Sequence, residues 1–141
     1  MSAINIFFDI DDTLVDYDLV EKADSYKDVP LLPGALKFIQ NRQLAGDNLY
    51  IISWYNPENL ERMKSKYEWC FRNLPMIQYE HLMIIPAPTN KADKAKKIME
   101  MDALTKNEIL FDDNKDNIKA WKEAGGMPYQ FDKKTMSWEE F

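Results

Sequence analysis

One cysteine, one histidine and four glycines are all that the 141-residue chain holds of those three types. A lone Cys70 rules out an intramolecular disulfide and a cysteine-based zinc site, and it suits a reducing compartment. A lone His81 has no second histidine or cysteine with which to hold a metal, so it is expected to be structural or exposed. Positive charge is also short: 18 Lys and Arg stand against 24 Asp and Glu, for a net charge of −6 and a pI near 4.8. That excludes a broad basic face for nucleic acid. It leaves room for a small phosphorylated ligand, where local charge decides. No apolar run is long enough to span a membrane, and no basic flank precedes an apolar segment at the N-terminus. A cytoplasmic protein is expected. Internal repeats and low-complexity segments are lacking too.

What is present is concentrated near the start. Ala3-Ile4-Asn5-Ile6-Phe7-Phe8 is an apolar, strand-favouring run that stops at Asp9-Ile10-Asp11-Asp12-Thr13-Leu14-Val15. Such a run suits a strand buried on both faces of a parallel sheet. In open α/β sheets, ligands bind outside the carboxyl ends of the strands. Asp9, Asp11 and Asp12 therefore belong at the mouth of a pocket. Crowded carboxylates need a cation or a proton to relieve their repulsion, and Mg2+ is the cation that all-oxygen donors take most readily. A calcium-binding EF-hand loop fits poorly: Leu14 stands where the turn requires glycine, and Val20 where the bidentate glutamate belongs. A solvated turn capping a helix is the plainer alternative.

The remaining chain alternates strands and helices. Asp16 to Pro33 is polar and reads as a small flap. Pro33-Gly34 opens a helix to about Ala45, with Leu36, Phe38, Ile39 and Leu44 as expected core contacts. Asn48 to Ser53 is a second strand. Pro57 starts a helix with Leu60, Met63, Tyr67 and Phe71 at helical spacing, and Cys70 within it reads as a small buried hydrophobe. His81 to Pro86 is a third strand. Thr89 or Asn90 caps a helix from Lys91 to about Met101. Glu108 to Asp113 is a fourth strand, ending again in carboxylates, with a helix from Asn117 to Ala124. Met127 to Phe131, with Pro128, is an edge strand. A last turn, Ser137 to Phe141, docks through Trp138 and Phe141. This alternation predicts parallel β-α-β units and a sheet of about five strands in one domain, residues 1–141. Polar groups then fall at successive carboxyl ends: Asp9, Ser53, Lys91 in the loop after strand three, and Asp113.

Asp9-Ile10-Asp11-Asp12-Thr13-Leu14, then Ser53, then Lys91, then Asp112-Asp113 with Asn117, resembles in order the four motifs of the haloacid dehalogenase (HAD) superfamily. The resemblance covers nearly the whole chain. It implies a Rossmann-like three-layer α/β/α sandwich and a Mg2+-dependent phosphohydrolase working through an aspartyl-phosphate. It makes Asp9 the nucleophile and Asp11 the acid that protonates the leaving oxygen and then activates water. Mg2+ is placed on the Asp9 carboxylate, the Asp11 backbone carbonyl and Asp113, with Asp112 beside the ion or one step behind it. Ser53 and Lys91 bind the phosphoryl group. Lys94, one turn beyond Lys91, is the rival lysine; Lys91 is favoured because it sits at the helix start, where backbone N–H groups face an anion. The carboxylate at Asp11 separates the chain from the dehalogenases, which lack it, and from the ion pumps, which carry threonine there.

The flap is too short for a folded cap, and Trp54 to Asn90 reads as core, so a capless member is expected. An open pocket suits a phosphorylated small molecule or the phosphorylated end of a macromolecule. Trp54 and Tyr55 at the rim could stack on a base, which tilts the reading toward a nucleotide, and Thr13 is a weaker substrate candidate; packing against the neighbouring helix is the plainer reading for both aromatics. A phosphotransferase and a non-catalytic module on the same fold are the alternatives. Oligomeric state is not legible.

Overall fold

The computed structural model describes residues 3–141. Five strands form one parallel sheet in the order β3-β2-β1-β4-β5. They are β1 (Asn5–Phe8), β2 (Asn48–Tyr55), β3 (Leu82–Pro86), β4 (Glu108–Asp112) and β5 (Met127–Gln130). The first strand is the central one, hydrogen-bonded to β2 on one side and β4 on the other. The chain runs outward through β2 and β3, then crosses back to β4. That reversal opens a crevice at the carboxyl end of β1.

Successive β1 side chains face opposite layers, as strand geometry requires. Ile6 and Phe8 join Trp69, Ile39 and Trp138 on one face, whereas Phe7 joins Tyr50, Ile52 and Trp121 on the other. The helices α2 (Ala35–Leu44) and α3 (Leu60–Asn73) cover the first face. The helices α4 (Lys91–Met99) and α5 (Lys115–Glu123) cover the second. The result is the expected three-layer sandwich. No cap domain is inserted among the described residues, and no helix is long and apolar enough to cross a membrane.

Two helix faces differ from the sequence expectation. In α2 the buried residues are Ala35 and Ile39, while Leu36 is half exposed and Leu44 is 85% exposed. In α3 the stripe is rotated: Lys66, Trp69 and Cys70 are buried, and Leu60 and Phe71 stand out in solvent. The Trp69 indole fixes that rotation by donating to the Val29 carbonyl at 2.7 Å. The Asp16–Pro33 segment is not only loop. It contains α1 (Tyr17–Ala23), which the Asp16 side chain caps through the Asp18 N–H and which ends at a left-handed Asp24.

The chain's end closes the sandwich. Trp138, in a 3-10 turn, is buried and donates its indole N–H to the Thr13 carbonyl at 2.7 Å. Phe141 remains half exposed beside Phe38. Gly34 leads into α2 at φ 83°, and a Cβ there would lie 2.6 Å from the Glu139 nitrogen, so no side chain fits under this turn. His81 is structural: its Nδ1 lies 2.9 Å from the Leu49 carbonyl and its ring lies 4.1 Å from that of Tyr50. Burial pushes the Cys70 thiol up to about 12, which leaves it inert.

Candidate active site

The strand ends deliver the polar groups together. Asp9 follows β1 directly and is held in line by its backbone N–H, which donates to the Phe111 carbonyl of β4 at 2.9 Å. The chain then doubles back. Asp12 takes a left-handed φ of 59°, and its N–H donates to the Val15 carbonyl. Aspartate tolerates that conformation better than most residues. The turn leaves Asp11 facing the crevice and folds Thr13, Leu14 and Val15 into the core.

Lys91 opens α4 and reaches back under the sheet's mouth. Its ammonium donates to Asp9 Oδ1 at 3.1 Å and to Asp112 Oδ2 at 2.7 Å. Asp112 is filled on all sides, since it also accepts from the Asn117 amide at 3.1 Å and the Asn114 N–H at 2.9 Å. Trp54 braces the same lysine. Its ring centroid is 5.5 Å from Nζ, and its indole N–H donates to the Thr89 carbonyl in the turn before α4. Lys94 makes no ion pair with these acids among the described residues, so Lys91 is the lysine of this cluster.

A second lysine stands on the other side. Lys66 of α3, 1% exposed, donates to Asp11 Oδ2 at 3.0 Å, to Ser53 Oγ at 2.9 Å and to the Trp54 carbonyl at 2.6 Å. The Tyr26 hydroxyl donates to the remaining Asp11 oxygen at 2.5 Å. Sequence reasoning missed both residues. Lys66 was the findable one, because Met63, Lys66 and Cys70 lie on one helical face and a charge there interrupts an apolar stripe. Tyr26 lies in the flap, where no periodicity marks it. Ser53 is fully buried behind Asp11.

These contacts set the charge states. Burial works to raise the Asp9 carboxyl, but the ammonium groups of Lys91 and Lys66 outweigh it and hold Asp9 below its ordinary value. Asp11 is raised, by burial first and by the Asp9 charge, with Lys66 and Tyr26 opposing. Asp112 is pushed up to about 6 by burial and Asp9, with Lys91 as partial offset. Asp113 is pushed up to about 8 by burial, by the charge of Asp9 and by a hydrogen bond to it. Two carboxyl groups bond one another only if one keeps its proton.

Asp9, Asp112 and Asp113 each bring a carboxylate oxygen within 4.8 Å of the others. Three acids against one ammonium leave this side short of positive charge. A hard divalent cation with oxygen preference, such as Mg2+, fits that donor set. Asp113 is the better donor of the pair at the end of β4, because the Asp112 oxygens are already occupied by Lys91, Asn114 and Asn117.

Two cavities meet here. One, of about 240 Å³, is lined by Asp9, Asp11, Lys91, Asp113 and Asn117 among others. The other, of about 210 Å³, lies between the flap and α3. They share Asp11, Tyr17 and Trp54. Tyr55 lines the second cavity, and Thr13 lines neither: it is wholly buried, with its hydroxyl unpartnered, so it is not placed to touch a substrate.

No protein-family profile and no curated protein matches the sequence. Solved structures do match the architecture. A HAD-superfamily hydrolase from Ehrlichia chaffeensis superposes with a TM-score of 0.68 at 14% identity, over 99% of this chain and 95% of that one. The chain has the haloacid dehalogenase fold. A D,D-heptose 1.7-bisphosphate phosphatase from B. bronchiseptica, complexed with magnesium and phosphate, shares the HAD fold with a TM-score of 0.64 at 16% identity, over 90% and 79% of the two chains. A class C acid phosphatase from Bacillus anthracis with tungstate bound gives 0.57 at 18% identity, over 99% and 71%. In this fold Asp9, Lys91, Asp112 and Asp113 come together at the sheet's mouth.

Proposed function

We propose that the protein is a Mg2+-dependent phosphomonoesterase that works through an aspartyl-phosphate on Asp9. The observation that carries this reading is the pairing of a buried, ionised Asp9 with Lys91 on one side and Asp11 on the other. A carboxylate kept ionised in a buried site is a competent nucleophile once the charge of an incoming phosphate is offset. Lys91 offsets part of that charge. Mg2+, held by Asp9, Asp113 and the Asp11 backbone carbonyl, with Asp112 one step behind, would neutralise the remainder and orient the phosphoryl group.

Asp9 attacks phosphorus, and the leaving alcohol takes a proton from Asp11. Water then attacks the aspartyl-phosphate, and Asp11 takes its proton in turn. The raised Asp11 carboxyl supports both tasks, since an acid–base group works best near the ambient pH. Lys66 and Tyr26 hold Asp11 in one orientation. Ser53 accepts from Lys66, and because it is fully buried and lines neither cavity its part is to position Lys66 rather than to touch the phosphoryl group.

The test is phosphate release from acetyl phosphate and a panel of phosphomonoesters, with Mg2+ and with excess EDTA. Turnover should need Mg2+, and Ca2+ should inhibit, because its looser coordination spoils in-line geometry. Rapid-quench mass spectrometry should place the transferred phosphoryl group on Asp9. Undiminished turnover in EDTA would sink the metal-dependent reading.

A further inference from the structure

The cavity between the flap and α3 has no part in phosphoryl transfer, yet Asp11, which protonates the leaving oxygen, lines both cavities. With phosphate over Asp9, the alcohol leaves past Asp11 into the second cavity. The walls of that cavity describe the alcohol. Tyr17 comes from α1, Tyr26 from the flap just after α1, and Trp54 and Tyr55 from the end of β2. Aromatic side chains on several sides of a small cavity favour a flat, polarisable group. The rim is polar, with Asn56, Asn59 and Arg62. The guanidinium of Arg62 donates to the Tyr17 hydroxyl and to Asp24, while its buried Nε has no partner. The Asn56 and Asn59 amide oxygens already accept from the Glu58 and Arg62 N–H groups, which leaves their amide N–H groups to face a ligand. A plain phenyl ring would leave these donors unanswered, whereas a flat ring with acceptors on its edge would use them. A volume of about 210 Å³ is below the usual range for drug-sized ligands and suits one monomer rather than an oligomer.

From this juxtaposition we propose that the flap and α3 form a nucleoside-binding pocket, so that the substrate is a nucleoside monophosphate. This rests on the phosphomonoesterase reading, which acetyl phosphate tests separately because it carries no ring. The flap thereby does in miniature what an inserted domain would do, by walling the leaving-group side.

The experiment compares kcat/KM for thymidine and adenosine 5′-monophosphates with glycerol 3-phosphate, phenyl phosphate and acetyl phosphate. One or more nucleotides should exceed glycerol 3-phosphate by about tenfold or more, as expected for a stacked base. In Tyr55→Ala and Arg62→Ala that ratio should collapse toward one. Equal efficiency on glycerol 3-phosphate, or a ratio unchanged in both variants, overturns the pocket. Phenyl phosphate matching the nucleotides overturns the hydrogen-bonding edge, and the nucleoside with it. A direct reading uses fluorescence. Trp69, Trp121 and Trp138 are fully buried, and Trp54 is the partly exposed tryptophan at the pocket. Free nucleoside should therefore quench emission saturably in the parent and not in Trp54→Phe. If no phosphoester, acetyl phosphate included, is turned over, the phosphomonoesterase reading fails, and saturable quenching alone then upholds or its absence overturns the nucleoside site.

Discussion

Lys91 and Lys66 are both buried and sit on opposite sides of the same turn after β1, but their surroundings differ. Lys91 is caught between Asp9 and Asp112, with Asp113 close by. Lys66 faces one carboxylate, a hydroxyl and a carbonyl. The first neighbourhood is short of positive charge, and the second is balanced. Buried ion pairs are weak sources of net stability, because desolvation offsets most of the attraction. The unbalanced cluster is thus poorly explained as a stabilising device and well explained as a seat for a cation and a phosphate. The balanced one holds Asp11, the proposed acid–base group, in place.

The sharpest way to break this contrast is at Asp9. Asp9→Asn removes the proposed nucleophile and keeps the shape, so turnover should fall at least about a thousandfold while the protein still melts cooperatively. Near-normal turnover in a clean preparation would mean that the wrong carboxylate has been chosen.

Exchanging the two lysines for methionine separates the halves directly. Lys91→Met should lower kcat by roughly 100- to 1,000-fold. Without metal at neutral pH it should also cost roughly 3–5 kcal/mol, because crowded carboxylates lose the ammonium that pairs with them directly. Lys66→Met should destabilise less, because the Asp11 side chain is 29% exposed and can turn to water. Urea titrations of both variants decide; equal losses would make the two clusters equivalent. Asp11→Asn should slow both half-reactions, by roughly 100-fold, and single-turnover kinetics will resolve the two steps.

A smaller effect concerns pH. The Asp113 carboxyl moves from an ordinary 3.8 to about 8 on folding, and Asp112 moves in the same direction to about 6. A group raised on folding stabilises the native state fully below its unfolded value, and that contribution disappears as pH climbs through the folded one. The metal-free protein should therefore lose melting temperature between about pH 4 and pH 8. Mg2+ should recover it, because it binds the folded site and not the unfolded chain. Asp113→Asn should be at least as stable as the parent without metal at pH 8, by on the order of 5 °C, and should respond little to Mg2+. A metal-free mutant that melts below the parent, with an undiminished Mg2+ response, would remove Asp113 from the cation seat.

The smallest expected change is at the flap. Lys133 ties Asp12, Asp16 and Asp18 together at 2.7, 2.8 and 3.4 Å, joining the turn after β1 to the start of α1. Lys133→Met should cost about 1 kcal/mol or less, as partly exposed pairs do. It should raise KM more than it lowers kcat, which initial-rate kinetics would reveal.

Much of the site lay open in the order of residues. Asp9, Asp11, Ser53, Lys91 and Asp113 each follow an apolar run or open a helix, and a parallel sheet gathers such positions at one edge. Periodicity misplaced the faces of two helices, because Leu36, Leu44, Leu60 and Phe71 are apolar yet exposed. An exposed leucine carries little penalty, so hydrophobicity alone does not fix a helix's rotation about its axis.

The sequence by itself determined the alternation of strands and helices, the carboxylates at their ends and the shortage of positive charge. These depend on neighbours along the chain, where propensity and spacing act. Only the tertiary structure decided that Lys66 and Tyr26 clamp Asp11, that Lys91 rather than Lys94 meets Asp9, and that the flap walls a second cavity. Those facts depend on how α3 is rotated by the Trp69 bond to Val29 and on where the flap comes to rest. Such contacts join residues 15 to 82 positions apart, and no local pattern encodes them, because each is set by the packing of whole elements on the sheet.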